Sequence, residues 1–477
     1  MTDTVSVPQL TSADMKEVQA PYKVHWFRST IFQVLVVGAV FFCAPGMYNA
    51  LANLGAGGLA TPWYANATAA AGYVFMAFFA LIGGIIVSKI GPNLALLISS
   101  TGDLVYGGSL YLNSKNGTQW FLMLGSIWSG VTDGLMYSVE GPIITGYPEP
   151  HVKGRMLGLW VFMRSIAPCI GGAIILGLNS DFNSNGSVSL TTYIAIIAIM
   201  ACGPFFALLL SAPEKVQRKD GKKVEWRRTG WVTSSKEWWR VASSKNMVLL
   251  YPLFFTSWFY GSYIGTLQTQ YMTVRTRALC SFAIPWGDIL GGFLLGYFLD
   301  YQGLSVKQRA RWSFIGVMVF NLALWLWAAI ITKELHDRGT EVLIDWTSGG
   351  IFSRTFSLFV IFDAATMMTQ TAMFWIIGKM SDDFAVLSYM TGTFRAVESA
   401  GQAVAFGIKS TDSSDWISIG MNIGFIVLSL PFAWVVIRKV GVVDFEAITF
   451  EHATKQTFHE DPSPSPSRSS QDEKAAA

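Results

Sequence analysis

The sequence predicts an all-α membrane protein: twelve transmembrane helices in two six-helix pseudo-repeats. Three observations predict it. Twelve apolar runs cover most of the 477 residues. A strongly basic loop at 213–246 divides them six and six. Matched residues recur in the two halves at a nearly constant offset. Composition agrees, with 52% hydrophobic and 14% charged residues, against roughly 25% charged in a soluble domain.

A hydrocarbon core about 30 Å thick takes roughly 20 apolar residues in a helix. Runs of that kind in the first half are expected at 30–54, 68–89, 92–112, 119–140, 155–178 and 189–212. Those in the second half are expected at 247–271, 278–300, 311–332, 354–378, 386–408 and 416–437. Pro45, Pro168, Pro204 and Pro285 fall inside spans. A membrane bundle tolerates them because neighbouring helices satisfy the freed backbone groups. The expected organisation is a cytosolic segment 1–24, a bundle 25–212, a basic linker 213–246, a second bundle 247–440 and a polar tail 441–477. The first 24 residues lack the short apolar core of a signal peptide, so the first span is expected to act as its own insertion signal. Cys43, Cys169, Cys202 and Cys280 lie inside or at the ends of spans and read as buried small hydrophobes.

Orientation follows from charge. With the N-terminus inside, 25 of the 34 Lys and Arg fall on the cytosolic side and 7 on the outer side, as the positive-inside rule requires. Ten lie in the central loop, Lys215, Arg218, Lys219, Lys222, Lys223, Arg227 and Arg228 among them. Topogenic charge is the preferred reading of that loop over binding of anionic lipid or nucleic acid. Three Asn-x-Ser/Thr triplets, at Asn66, Asn116 and Asn185, fall in the loops that charge places outside. They point to glycosylation in the eukaryotic secretory pathway, with Asn185 farthest from a span end. The expected protein is integral to the plasma membrane or an endomembrane such as the vacuole, with both termini cytosolic. The tail carries Pro-Ser repeats at 462–470, too hydrophilic to fold alone; phosphorylation, sorting or no specific partner remain open for it.

Gly46-Met-Tyr48 in span 1 matches Gly261-Ser-Tyr263 in span 7 at an offset of 215, and Asn53 matches Gln268 at the same offset. Gly84, Lys89 and Gly91 at the end of span 2 match a frame of Gly296, Asp300 and Gly303 at the end of span 8. A parallel six-span repeat is how rocker-type secondary transporters are built. The Gly-x-x-x-Asp-x-x-Gly frame, followed by Lys307, Arg309 and Arg311, resembles the signature of the major facilitator superfamily. The resemblance implies a latch between the cytosolic ends of helices, incomplete in the first half, where Ser88 stands in the acidic position and Pro92-Asn93 replace the basic pair. Two longer stretches resemble the fungal branch of the uncoordinated-93 family. One is Gly46-Met-Tyr-Asn-Ala-Leu-Ala-Asn-Leu-Gly-Ala-Gly-Gly58. The other is Glu140-Gly-Pro leading to Tyr147-Pro148 and Lys153-Gly-Arg155. This resemblance implies the facilitator fold but no single activity, since the family's animal members include an ion-channel regulatory subunit and a trafficking partner of innate immune receptors.

An ionisable residue inside a span costs a few kcal/mol on insertion scales, so each calls for a partner or a job. Asp133 of span 4 and Arg164 of span 5 both lie about 12–14 Å from the cytosolic edge at 1.5 Å per residue, and an ion pair between them is expected. Arg395 and Glu398 share one helical face and can pair. That pairing leaves Asp363 as an exchangeable acid. Glu140, beside Gly141-Pro142, is expected to gate or brace. Asp103 and Asp288 read as structural. Whether these charges line a polar cavity or lock helices together stays open. Tyr48, Asn49, Asn53, Tyr263 and Gln268 are the solute-contact candidates, with interhelical bonding the alternative. Paired glycines such as Gly83-Gly84, Gly171-Gly172 and Gly291-Gly292 read as helix packing.

Enzyme motifs fail, and neither a cofactor nor a metal is expected. Of five histidines, only His25 lies close to a span. The leading expectation is a transporter that moves a small, unidentified solute by alternating access, with proton coupling an open option. The second is a non-transporting regulatory or trafficking subunit of another membrane protein. Expected partners are the lipid bilayer, the solute and, under the second reading, a membrane protein; no nucleic acid is expected.

Overall fold

The computed structural model describes residues 24–149, 152–221, 231–381 and 384–442. The expected N-terminal segment and tail, and four cations of the linker (Lys222, Lys223, Arg227 and Arg228), lie outside the described residues. Within them the chain is helical, with two isolated bridges, Ser29 with Gln217 and Met272 with Ile344, as its β-type pairings.

The first half comprises α1 (Thr30–Cys43), α2 (Pro45–Ala52), α3 (Pro62–Ile90), α4 (Pro92–Ser99), α5 (Gly102–Asn116), α6 (Gln119–Gly146), α7 (Lys153–Asn179), α8 (Leu190–Met200) and α9 (Cys202–Ala207). The second comprises α11 (Lys245–Thr256), α12 (Gly261–Tyr271), α13 (Val274–Asp300), α14 (Val306–Arg338), α15 (Gly350–Ile377), α16 (Phe384–Lys409) and α17 (Asp415–Ile437). Between them lies α10 (Trp231–Ala242). Each expected apolar run falls on helix. Eight helical stretches are long and apolar enough to cross a membrane. The runs outside those eight are α4–α5, α6, α11–α12 and α16.

Interruptions follow the sequence. Ala44, before Pro45, leaves helical geometry with ψ −84° and ends α1. In the second half the chain turns between Thr256 and Gly261. These two breaks fall at nearly the same repeat offset as the Gly46 and Gly261 match. Interrupted segments at corresponding positions of two halves are the pattern that exposes backbone at a transport site. Pro168 and Pro285, by contrast, sit inside continuous helices.

Water does not drive helices together inside a bilayer, so close packing of small residues and interhelical hydrogen bonds must do so. A Cβ on Gly130 of α6 would stand 2.0 Å from the Gly72 carbonyl oxygen of α3. On Gly291 of α13 it would stand 2.2 Å from the Ala364 carbonyl of α15. Of the pairs Gly83-Gly84, Gly171-Gly172 and Gly291-Gly292, all but Gly84, which has open space around it, meet a neighbour closely. Buried apolar residues form one large cluster in the second half, one centred in the first half, and one in which first-half residues pack with Val274 and Ala278 of α13. Cys43, Cys169 and Cys280 are buried and Cys202 is exposed, all four as free thiols.

The linker is more structured than expected. Its helix α10 is amphipathic: Ser234, Glu237, Val241 and Ala242 are buried, while Trp231, Val232 and Trp239 are exposed. Trp238 donates from its indole to Thr393 of α16 at 3.1 Å, and Tyr389 donates to Glu237 at 3.3 Å. Glu149, between α6 and α7, is buried and accepts from Thr30 at 3.1 Å and from the Lys219 backbone at 2.8 Å. The linker thereby fastens to both halves.

Gly130→Val is expected to destabilise the fold by about 1–3 kcal/mol or more through overpacking against Gly72. Thermal melting of the purified protein checks it; an unchanged melting temperature would contradict the packing described.

Candidate functional site

Helices α6, α7, α15 and α16 bring charged side chains together midway through the bundle. Arg395 and Glu398 pair as expected, Nη1 to Oε1 at 2.9 Å, with Glu398 buried and Arg395 half-buried. The second Glu398 oxygen accepts from Gln370 at 2.5 Å and from Ser257 at 3.2 Å. The carboxylate is therefore satisfied from α11, α15 and α16 at once. The Arg395 guanidinium also lies 5.2 Å from the Tyr137 ring of α6 and 5.1 Å from Phe374. Arg164 of α7 approaches the same tyrosine at 6.0 Å and Trp160 at 5.4 Å. One tyrosine of the first half is thus flanked by a guanidinium from each half. Contacts of this kind contribute about 0.5–2 kcal/mol when desolvated. Glu140 lies in the fields of both arginines, and its Oε2 has no hydrogen-bond partner among the described residues.

The expected Asp133–Arg164 ion pair is not formed. The depths agree, but the side chains lean apart. A helical Cα–Cβ bond tilts toward the helix N-terminus, and α6 and α7 run in opposite directions. Asp133 leans back to Ser129, whose hydroxyl donates to it at 3.4 Å and to Asp103 at 2.9 Å. Arg164 leans the other way, to Trp160. Asp133 and Asp103 therefore face each other across one hydroxyl. Beside them a cavity of about 20 Å³, lined by Tyr48, Tyr73, Tyr106 and Asp133, has room for a water molecule.

The second half has a counterpart. Asp363 of α15 accepts a hydrogen bond from Tyr260 and shares one with Asp288 of α13. Asp363 is thus not left alone by the Arg395–Glu398 pair, and Asp288 is its partner rather than a separate brace. A carboxyl–carboxyl hydrogen bond requires a proton on one of the two.

The solute-contact candidates separate. Tyr48 lines the small cavity, bonded to Tyr73 and 5.2 Å from the Tyr106 ring. Asn49 is exposed and Asn53 half-buried at the end of α2. Tyr263 is fully buried, packs on Trp325 at 5.3 Å and shares a 2.6 Å bond with Thr332; it is core, not cavity. Gln268 is buried against Gly55. The turn before Gly261 changes which phenol of span 7 points inward, and Tyr260 takes the place expected of Tyr263.

The end of the bundle called outer by its charge is closed by a residue that sequence reasoning counted only as a loop charge. Arg277, on the first turn of α13, is fully buried with no carboxylate beside it among the described residues. Its guanidinium donates to four first-half carbonyls: Leu54 at 2.8 Å, Gly55 at 2.9 Å, Leu59 at 3.0 Å and Gly186 at 3.0 Å. Residues 55–58 all have positive φ, the conformation glycine allows at least cost. Their sequence, Gly-Ala-Gly-Gly, ends the signature stretch of span 1. Ser281 donates to the Ala50 carbonyl at 2.6 Å, and Asn66 of α3 donates to Thr266 at 3.0 Å and to the Lys409 carbonyl at 2.9 Å. A Cβ on Gly172 of α7 would lie 2.4 Å from the Ser281 carbonyl oxygen. Next to Arg277, Arg275 holds Asp345 with a two-point bond of 2.7 and 2.5 Å and lies 4.9 Å from the Trp346 ring.

Asn66 therefore cannot carry a glycan: it is inside α3, buried and engaged between the halves. Asn116 and Asn185 are exposed. His336, missed as a span-end histidine, meets Asp415 at 3.0 Å, and Asp415 also holds the buried Lys409. At the opposite end the latch residues do not converge. Gly84 and Gly296 have open space, Lys89 is exposed, and Gly91 (φ 85°) joins α3 to α4. Asp300 is exposed with no bonded partner among the described residues, and a Cβ on Gly303 would meet the Tyr301 ring. Arg309 instead donates to the Leu299 carbonyl at 2.5 Å.

Comparison with known proteins decides the family. Residues 63–331 match the family described as ion channel regulatory protein UNC-93. The chain belongs to the UNC-93 family. Its relatives include notoamide biosynthesis cluster protein O' of Aspergillus versicolor, 35% identical over 88% of this chain and 91% of that protein. UNC93-like protein 1 of Arabidopsis thaliana is 30% identical over 83% of this chain and 87% of its own length. Among solved structures, a D-xylose–proton symporter aligns with a TM-score of 0.58 at 13% identity, covering 84% of this chain and 97% of its own. A POT family transporter aligns at 0.59 and 12%, covering 85% and 96%. These likenesses identify the fold of this UNC-93 protein as the major facilitator fold and the chain as an integral membrane protein.

Arg275 holds the Asp345 carboxyl below the usual carboxylate range, with help from Thr347 and Thr273. The stabilisation is fully present above the unfolded value of about 3.9 and is lost as pH falls through the lower folded value. Asp345→Asn is expected to melt below wild type by a constant margin from about pH 7 to about pH 5, closing only below about pH 4. A margin that shrinks already between pH 7 and 5 would contradict the pairing.

Proposed function

We propose that the chain is a twelve-span facilitator with cytosolic termini that moves a small solute by alternating access. The observation that carries this reading is the unequal character of the contacts between halves. The outer end is closed by directional hydrogen bonds that two rigid bundles can break and remake. Midway, the halves meet through guanidinium groups on a tyrosine face, a contact that tolerates sliding. Interruptions at corresponding positions of the first and seventh spans support the same reading. The cavity beside Tyr48 is too small for a solute, so access requires the halves to part. A relative named for a biosynthesis cluster favours a small organic solute. Each half carries one carboxyl pair, Asp103–Asp133 and Asp288–Asp363, with one member buried and the other half-buried, able to hold a proton, which favours proton coupling.

A thermal-shift screen of small metabolites supplies the solute. Uptake into vesicles under an imposed pH gradient then tests the mechanism. Arg395→Gln is expected to lower uptake at least about a hundredfold, since leaving the Glu398 carboxylate without its cation costs about 3–5 kcal/mol, and Asp133→Asn, which removes one acid of the first-half pair, is expected to abolish the dependence of uptake on the pH gradient. Full uptake by both variants would overturn it.

A second reading, a regulatory or trafficking subunit, is favoured by the family's description and by Ser88 in the acidic position of the first-half frame. A stoichiometric membrane partner on purification, with no solute-induced stabilisation, would favour it over transport.

A further inference from the structure

Where the segment just before α1, the junction of α3 with α4 and the chain after α9 meet, a crevice of about 570 Å³ opens at the end of the bundle opposite the Arg277 clasp. Its lining is amphiphilic. On one lip stand Arg28 and Lys215, both exposed and with no ion-pair partner among the described residues. Glu214 shares that lip, so two cations face one carboxylate. The floor is the start of α4, where Gly91 offers no capping side chain, leaving the first backbone N–H groups without an intrahelical acceptor. On the other lip Leu94, Leu208 and Leu209 are exposed by 48%, 64% and 38%. Asn93 bonds to the Leu210 carbonyl and the Gln217 backbone N–H bonds to the Arg28 carbonyl at 2.9 Å, so the walls are tied together.

A soluble anion would use the cations and leave the leucines bare. A hydrocarbon chain would use the leucines and leave the cations unpaired. We propose that the crevice binds a phospholipid of net negative charge. The phosphate sits between Arg28, Lys215 and the first turn of α4, and an acyl chain runs along Leu94, Leu208 and Leu209. The crevice touches the connection between α3 and α4, the segment that carries the first-half frame, so the lipid would brace that connection.

Titrating dioleoyl phosphatidylserine into the full chain in detergent, with bound lipid counted by native mass spectrometry, tests this. Arg28→Gln with Lys215→Gln is expected to weaken binding about thirty-fold, from the interfacial contribution of two cations. Lys307→Gln with Lys379→Gln, which removes two charges elsewhere, is expected to leave it unchanged. Leu94→Gln with Leu208→Gln is also expected to weaken it. Glycerophosphoserine, the headgroup without chains, is expected to bind far more weakly. Equal binding of that headgroup would make this a phosphate-ion site and overturn the proposal. So would equal affinity for phosphatidylcholine, or an unchanged affinity in the Arg28 and Lys215 variant. Should that variant not fold, Lys215→Gln alone is expected to weaken binding about five-fold, and an unchanged affinity would overturn the proposal equally.

Discussion

Closure of the two halves at the outer end depends on Arg277. A guanidinium leaving water costs several kcal/mol even after relaxation, and one hydrogen bond cannot offset that. Hydrogen bonds to a charged group contribute about 1.5–3 kcal/mol each, so four of them can. The carbonyls at the end of α2 are suited to the task, because a helix C-terminus carries unsatisfied acceptors and partial negative charge. The remaining carbonyls of the loop are also used: Tyr193 donates to Gly57 at 3.1 Å and Val188 to Gly58 at 3.0 Å. The clasp is an all-or-none device, since a partly opened version would strand a charge away from both water and acceptors.

That device explains the signature stretch of span 1. Its amides and tyrosine draw attention as ligand groups, yet its glycines shape the cradle. A side chain on Gly55 would also strike the Gly265 carbonyl, 2.5 Å from the added Cβ. The same loop therefore receives the cation and admits the second-half backbone. Farther in, the halves meet at Tyr137, where two like charges share one π face and Glu140 moderates them. The outer contacts are specific and the central ones permissive, which is the division of labour that rocking bundles need.

Much of this was legible in the sequence. Hydropathy located the helical runs, and i,i+3 spacing placed Arg395 on Glu398. The repeat offset matched Gly46 with Gly261, but both spans were expected to be continuous and the paired interruptions emerged only in the structure. What failed did so for physical reasons. Depth alone paired Asp133 with Arg164, but side chains on antiparallel helices lean oppositely. A phenol at the matched offset suggested Tyr263, but an interrupted helix changes phase and presents Tyr260. A glycosylation triplet marked Asn66, though a helix that starts at Pro62 buries it. Arg277 was invisible because its partners are backbone carbonyls, which leave no trace in residue identity; the glycine run was their only signal. The latch frame, legible as a motif, holds no interhelical contact at Asp300 among the described residues.

The most direct test measures the distance between the outer ends of the halves. Spin labels at Trp120→Cys and Lys333→Cys, with Cys202→Ser to remove the exposed thiol, report it by double electron–electron resonance in reconstituted full-length protein. With Arg277 intact, a single short distance should dominate. Arg277→Gln should move most of the population to a longer distance while the protein stays folded. An identical distribution in the two proteins would contradict the account.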